Sequence, residues 1–220
     1  MKGASTGDHA MTGYGGGCDT AATAEEGQRT VPSVAGADPR PLTGEPLAID
    51  LLNTRWIDAA GRHDLLDSLD GLATWLAGPL VSRALGDTQV PADHDTLRRL
   101  LQARAALDLA ATDPQHPDDG AVEALNAVLA HGRRGLVLRP DGPDAYVEVE
   151  SPAWLPAWLA AEDYLRLLAE RPERIRSCGN PECVLHFYDT SKNGTRRWCS
   201  MAGCGNRAKA QRHYARQKKA

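Results

Sequence analysis

The sequence predicts an α+β protein: a mostly helical N-terminal domain with a small β-hairpin, followed by a small C-terminal module built on cysteines. Three observations predict this. Amphipathic stretches of helical period recur between residues 47 and 171. Two alternating runs, Gly135–Arg139 and Ala145–Val149, flank the turn-rich Pro140-Asp141-Gly142-Pro143-Asp144. Four of the five cysteines form two C-x4-C pairs, Cys178/Cys183 and Cys199/Cys204, with fifteen residues between the pairs.

The cysteine module organises the rest. Four thiolates are soft ligands that suit one tetrahedral Zn²⁺, with bonds of about 2.3 Å. The competing reading, two disulfides, needs an oxidising compartment, and the chain looks cytosolic. Leu185–Thr190 reads as a strand, Asn193-Gly194 as a tight turn and Arg196–Ser200 as the return strand. Asn206–Lys218 reads as a helix with Cys204 near its first turn. Knuckle, hairpin and helix together predict a treble-clef-like zinc finger. Four thiolates leave zinc no open position for water, so the metal is structural, one ion per chain. His186 and His213 are possible replacement ligands that the spacing does not require.

These residues carry a resemblance. Asp189-Thr190-Ser191, Arg196-Arg197-Trp198-Cys199-Ser200-Met201 and Cys204-Gly205-Asn206-Arg207-Ala208-Lys209 strongly resemble the CGNR zinc finger. In that bacterial family the finger follows an N-terminal ABATE domain, and the members are linked to stress-induced transcription regulation. Leu47-Ala48-Ile49-Asp50-Leu51-Leu52-Asn53-Thr54 resembles the opening motif of the ABATE domain. The resemblance implies an ABATE-like α+β domain over 42–171 and the finger with its basic helix over 172–220, and composition places a disordered Gly/Ala-rich tail over 1–41 before them.

Residues 1–41 contain no Leu, Ile, Phe or Trp. Such a segment buries too little apolar surface to offset the entropy of ordering it. Gly13-Tyr14-Gly15-Gly16-Gly17 lacks the strand and helix of a nucleotide loop, and Cys18 reads as a free thiol without a role. In Leu47–Thr54, Asp50, Asn53 and Thr54 share a helical face within an apolar run. They form either a structural polar cluster or one wall of a small-molecule pocket.

Asp64–Ala77 predicts a turn into a short helix, capped by Ser68 or Asp67 and stopped by Gly78-Pro79. Its inward face is Leu69, Leu72, Trp75 and Leu76, and His63 reads as a surface loop residue. Pro91–Asp113 holds the longest helical pattern, capped by Asp93 or Asp95 and striped by Leu97, Leu100 and Leu101. Arg104 falls on that stripe, either snorkelling at its edge or joined to Asp50 in an ion pair or one shared polar network, because buried charges need partners. Gly120–Ala130 and Trp154–Arg171 predict two further helices, the latter apolar along Leu155, Trp158, Leu159, Leu165 and Leu168.

Charge divides the chain more sharply than composition. Residues 174–220 hold 11 Lys/Arg against 2 Asp/Glu, a balance of +9; the other 14 basic and 27 acidic residues give −13, for the total of −4. A basic module beside an acidic domain is a nucleic-acid signal. On the last helix Lys209, Arg212, Arg216 and Lys219 share one face, while Arg207, Ala210 and Tyr214 lie on the other side. Arg196 and Arg197 add charge nearby, and Asn206 and Arg207 are candidates to read base edges.

No Walker loop, nucleophile elbow, HExxH or Ser/His/Asp set is present, so the chain reads as non-enzymatic. No stretch approaches the roughly 20 apolar residues of a membrane span, and the opening lacks a signal-like h-region, which predicts a cytoplasmic protein. Two functions fit. One is a zinc-binding transcription regulator that binds DNA through the finger while the N-terminal domain senses a ligand or recruits a partner. The other is an interaction adaptor whose basic finger docks on an acidic protein.

Overall fold

The computed structural model describes residues 38–218, without the side chains of Arg212, His213, Ala215 and Arg216. Residues 1–37 of the expected tail, Cys18 included, lie outside the described residues, as does Lys219. The chain opens with α1 (Leu47–Leu52), the hairpin β1 (Arg55–Asp58) and β2 (Gly61–Asp64), then α2 (Leu69–Leu76) and α3 (Pro79–Leu85). It continues through α4 (His94–Ala110), α5 (Asp119–Leu129), the hairpin β3 (Gly132–Arg139) and β4 (Gly142–Val149), and α6 (Leu155–Glu170). The last elements are β5 (Ile175–Ser177), β6 (His186–Tyr188) and α7 (Asn206–Gln217). The α+β expectation holds.

Three of the helix starts, those of α2, α4 and α5, follow side-chain caps. Ser68 Oγ accepts from Gly71 N at 3.1 Å, Asp93 from Thr96 N at 2.9 Å and Asp118 from Ala121 N at 2.8 Å. Each cap satisfies a backbone donor that the first turn leaves orphaned. The core is α6 packed against α1, α4 and α5. Ile49, Leu51, Leu100, Leu107, Val128, Tyr164 and Leu167 are buried there. All six residues of α1 are buried, so that helix is a central strut despite its short length.

Three sequence readings need correction. The β1–β2 hairpin and α3 went unforeseen: Asp58 faces Gly61 across the two-residue turn Ala59-Ala60, and Gly61 takes φ 125°, where a side chain would be strained. The second hairpin turns at Pro140-Asp141, not over residues 140–144, so Gly142, Pro143 and Asp144 already belong to its return strand. In the finger, His186–Tyr188 pairs antiparallel with Ile175–Ser177. Arg196–Ser200 is not a strand, so the hairpin behind the treble-clef expectation does not form.

The polar cluster is also rearranged. Asp50 does not pair with Arg104: its Oδ1 accepts from Arg40 NH1 at 2.8 Å and Trp75 Nε1 at 3.0 Å, and its Oδ2 from Gly44 N at 3.2 Å. Arg40, which composition places in the tail, is 8% exposed, so ordered structure begins before residue 42. Arg104 instead grips Asp64 through NH1 at 2.6 Å and NH2 at 2.7 Å, and NH1 also reaches Thr54 Oγ1 at 2.8 Å. Planar guanidinium matches a carboxylate in this two-point manner.

Asp64 therefore carries a pH dependence. Burial opposes its charge, but the hydrogen bonds and charge of Arg104, with the Leu66 N–H, outweigh burial and hold its pKa below the ordinary value. A lowered folded pKa gives stability that is present above the unfolded value of about 3.9 and is lost as pH falls through the folded value. Asp64→Asn is expected to flatten the fall in melting temperature below about pH 4. Equal acid sensitivity of variant and parent would refute this.

Candidate metal centre

The four cysteines converge. Cys178 leaves β5 and Cys183 precedes β6, and between them Cys183 N donates to Asn180 O at 2.9 Å, closing a tight knuckle. Gly179 N donates to Arg197 O at 2.8 Å, and a Cβ on Gly179 would meet that oxygen at 2.9 Å. The two halves of the finger touch there because position 179 has no side chain. Cys199 follows the loop from Asp189, and Cys204 sits in a widened turn, Met201–Gly205, that runs into α7. Ser200 Oγ caps this turn by accepting from Gly203 N at 3.0 Å.

All four Sγ atoms lie within 4.8 Å of one another, and Cys183 and Cys199 are 3.8 Å apart. A tetrahedral ion with bonds of about 2.3 Å sets its sulfurs about 3.8 Å apart, so the set fits zinc. It does not fit disulfides, which need sulfurs at about 2.05 Å. Thiols this crowded do not ionise independently. Cys183 is lowered to about 5, chiefly by the hydrogen bond it shares with Cys199, and the same bond pushes the Cys199 thiol up. A divalent cation removes that conflict by stabilising every thiolate.

Donors around the sulfurs support the charged form. Cys199 N points at Cys178 Sγ at 3.4 Å, Asn180 Nδ2 at Cys204 Sγ at 3.5 Å, and Arg207 NH2 at the same sulfur at 3.6 Å. Sequence reasoning missed Asn180, which is 7% exposed; its signal was an amide inside the first knuckle. Asp189, 1% exposed, shapes the loop between the pairs. Its Oδ1 accepts from Ser191 N at 2.9 Å and its Oδ2 from Arg196 N at 3.0 Å.

Residues 45–171, more than half of the chain, match the ABATE family, described as "Putative stress-induced transcription regulator", and residues 174–217 match the CGNR zinc finger. The chain belongs to the ABATE family. No curated protein matches it. With the finger match, the four clustered thiols assign one structural Zn²⁺ to this ABATE protein, held by Cys178, Cys183, Cys199 and Cys204. Both descriptions are regulatory or zinc-finger terms, and neither names an enzymatic activity. Among the described residues, no helix is long and apolar enough to cross a membrane.

The remaining candidates separate in the ABATE protein. His186 is not part of the metal cluster, and the His213 side chain lies outside the described residues. Asn53 binds the backbone of β6, accepting from His186 N at 2.8 Å and donating to His186 O at 2.9 Å. A side-chain amide thus imitates a neighbouring strand and fastens the finger to α1. Glu45 adds a second clasp, taking Tyr188 N at 3.0 Å and Arg196 NH2 at 2.8 Å.

Arg196 is therefore not a free cation. Its Nε donates to Trp198 O at 3.1 Å, its NH2 also to Cys199 O at 2.5 Å, and its guanidinium stacks on Phe187 at 4.2 Å. Arg197, Asn206, Arg207 and Lys209 are exposed. The side chains of Arg212 and Arg216 lie outside the described residues.

Proposed function

We propose that this ABATE protein is a zinc-dependent cytoplasmic transcription regulator that grips DNA with its basic finger, while the N-terminal domain senses a ligand or recruits a partner. The +9 balance of residues 174–220 carries the reading. Opposite charge on the N-terminal domain restricts how DNA approaches, because the finger is clasped to α1 through Asn53 and Glu45 and is not separately mounted. Screening acts over about 8 Å at physiological salt, so the duplex should meet the exposed side that carries Arg197, Lys209 and α7. Arg196 drops out of the contact set, since its donors serve the protein itself.

A second reading, an adaptor for an acidic protein, gains from Met201 at 54% and Tyr214 at 65% exposure, because apolar groups on a basic surface suit protein contact. A salt titration of the full zinc-loaded chain on random and genomic duplexes separates the two. About four phosphate contacts give a slope of log affinity against log salt of roughly −4. Lys209→Ala is expected to flatten that slope by about one unit and to weaken all sequences alike. Asn206→Ala or Arg207→Ala should reduce discrimination between sites, with zinc content checked because Arg207 touches Cys204 Sγ. Affinity weaker than about millimolar at low salt would favour the adaptor.

A further inference from the structure

Three of the four metal-binding cysteines are shut away: Cys178 is 8% exposed, Cys199 4% and Cys204 2%. Cys183 is only half-buried, and it opens onto a cleft of about 600 Å³ at the junction of the finger and the N-terminal domain. Trp56, Arg62 and His63 form the wall from the β1–β2 hairpin, and Val184 and His186 form the wall from the finger. His63 stacks on Trp56 with ring centroids 4.9 Å apart, which gives that wall a flat, fixed face. Among the described residues His186 Nδ1 is buried without a hydrogen-bond partner, which leaves an unused polar atom on a residue of the opposite wall. A small polar molecule can enter such a cleft and meet one sulfur of the set before the others.

We propose that Cys183 is the modification site of the metal centre, where a small hydroperoxide reacts and Cys199 resolves the product into a disulfide. The proposal rests on the zinc assignment and goes beyond the DNA-binding reading. The sulfur of Cys183 attacks the terminal peroxide oxygen, an S–O bond forms, the O–O bond breaks, and hydroxide leaves from hydrogen peroxide or alkoxide from an alkyl hydroperoxide. The Cys199 sulfur, 3.8 Å away, then attacks the Cys183 sulfenic sulfur, forming S–S and expelling hydroxide. Two thiolates lose two electrons and the peroxide gains them. Only two thiolates then remain for the ion, too few for a closed structural site.

The test uses the full chain with Cys18→Ser, which removes the one cysteine outside the set, titrated with hydrogen peroxide. Zinc release is followed with a chromogenic chelator, and disulfides are mapped by peptide mass spectrometry. The expected result is loss of one zinc per chain in step with a Cys183–Cys199 disulfide. Val184→Phe, which narrows the cleft, should slow both without changing the zinc content beforehand. A first modification at Cys178 or Cys204, or zinc retained through complete reaction, would overturn the proposal. A chain without zinc before oxidant refutes the metal assignment instead. The order of alkylation by N-ethylmaleimide then still decides whether Cys183 is the accessible thiol.

Discussion

Cys199→Ser is expected to lower the zinc content from one ion per chain to none and to unfold the finger. A module of about 45 residues is too small to be stable on its own core, and zinc supplies about 10–16 kcal/mol of folding energy in finger peptides near neutral pH. The substitution removes a sulfur that is 3.8 Å from Cys183, and it introduces a hard hydroxyl in its place. The damage should spread, because Ile175, Leu185 and Phe187 belong to the same buried cluster as Leu51 and Leu52. Unfolding the finger also strips β6 from Asn53 and leaves that buried amide without its two partners. The N-terminal domain should therefore melt earlier as well. Elemental analysis and hydrogen exchange check this: protection should fall in β5, β6 and α7, and to a lesser extent in α1. Metal-free variant with a fully protected β6 would refute it.

What the sequence revealed was mostly local. Caps at Ser68 and Asp93, and the spacing of Cys178, Cys183, Cys199 and Cys204, depend on residues a few positions apart. Periodicity and ligand chemistry read those directly. The failures share a long reach. β6 chose Ile175–Ser177 because the metal set and the buried Asp189 hold residues 189–199 in a loop, and three-residue strands leave little pattern to detect. The Asn53–His186 contact spans 133 positions, and nothing near Asn53 announces a strand to imitate. Arg196 shows the same limit from the functional side. In the sequence it is one more cation of a basic module, whereas in the fold it lies on Phe187 and is clasped by Glu45. Net charge counts residues and does not say which of them are free to bind. The β1–β2 hairpin was hidden for another reason: Ala59-Ala60 is an unusual turn pair, and the signal lay in Asp58, whose Oδ1 takes Ala60 N at 2.8 Å, and in Gly61.

Asp50→Ala should be the most damaging single substitution in the N-terminal domain. Side chains of Asp50 and Arg40 are each 3% exposed, and their charges lie 2.8 Å apart. Deleting the carboxylate leaves the Trp75 indole and Gly44 donors without their acceptor, and Arg40 with the Asp50 backbone oxygen and the more exposed Asp38. Breaking a buried pair from one side costs about 3–5 kcal/mol, here because Arg40 loses its fully buried carboxylate and two buried donors lose their acceptor. In a chain of this size each kcal/mol moves melting by about 2–4 °C, so a fall of roughly 6–20 °C is expected. Removing both partners is expected to cost less than the sum of the two single losses, since neither member of the buried pair then remains. Arg40→Met with Asp50→Ala tests this: the double variant should melt close to or above Asp50→Ala alone. Arg40 would count as a surface residue, and the tail would extend to residue 41 after all, if Asp50→Ala melted like the parent.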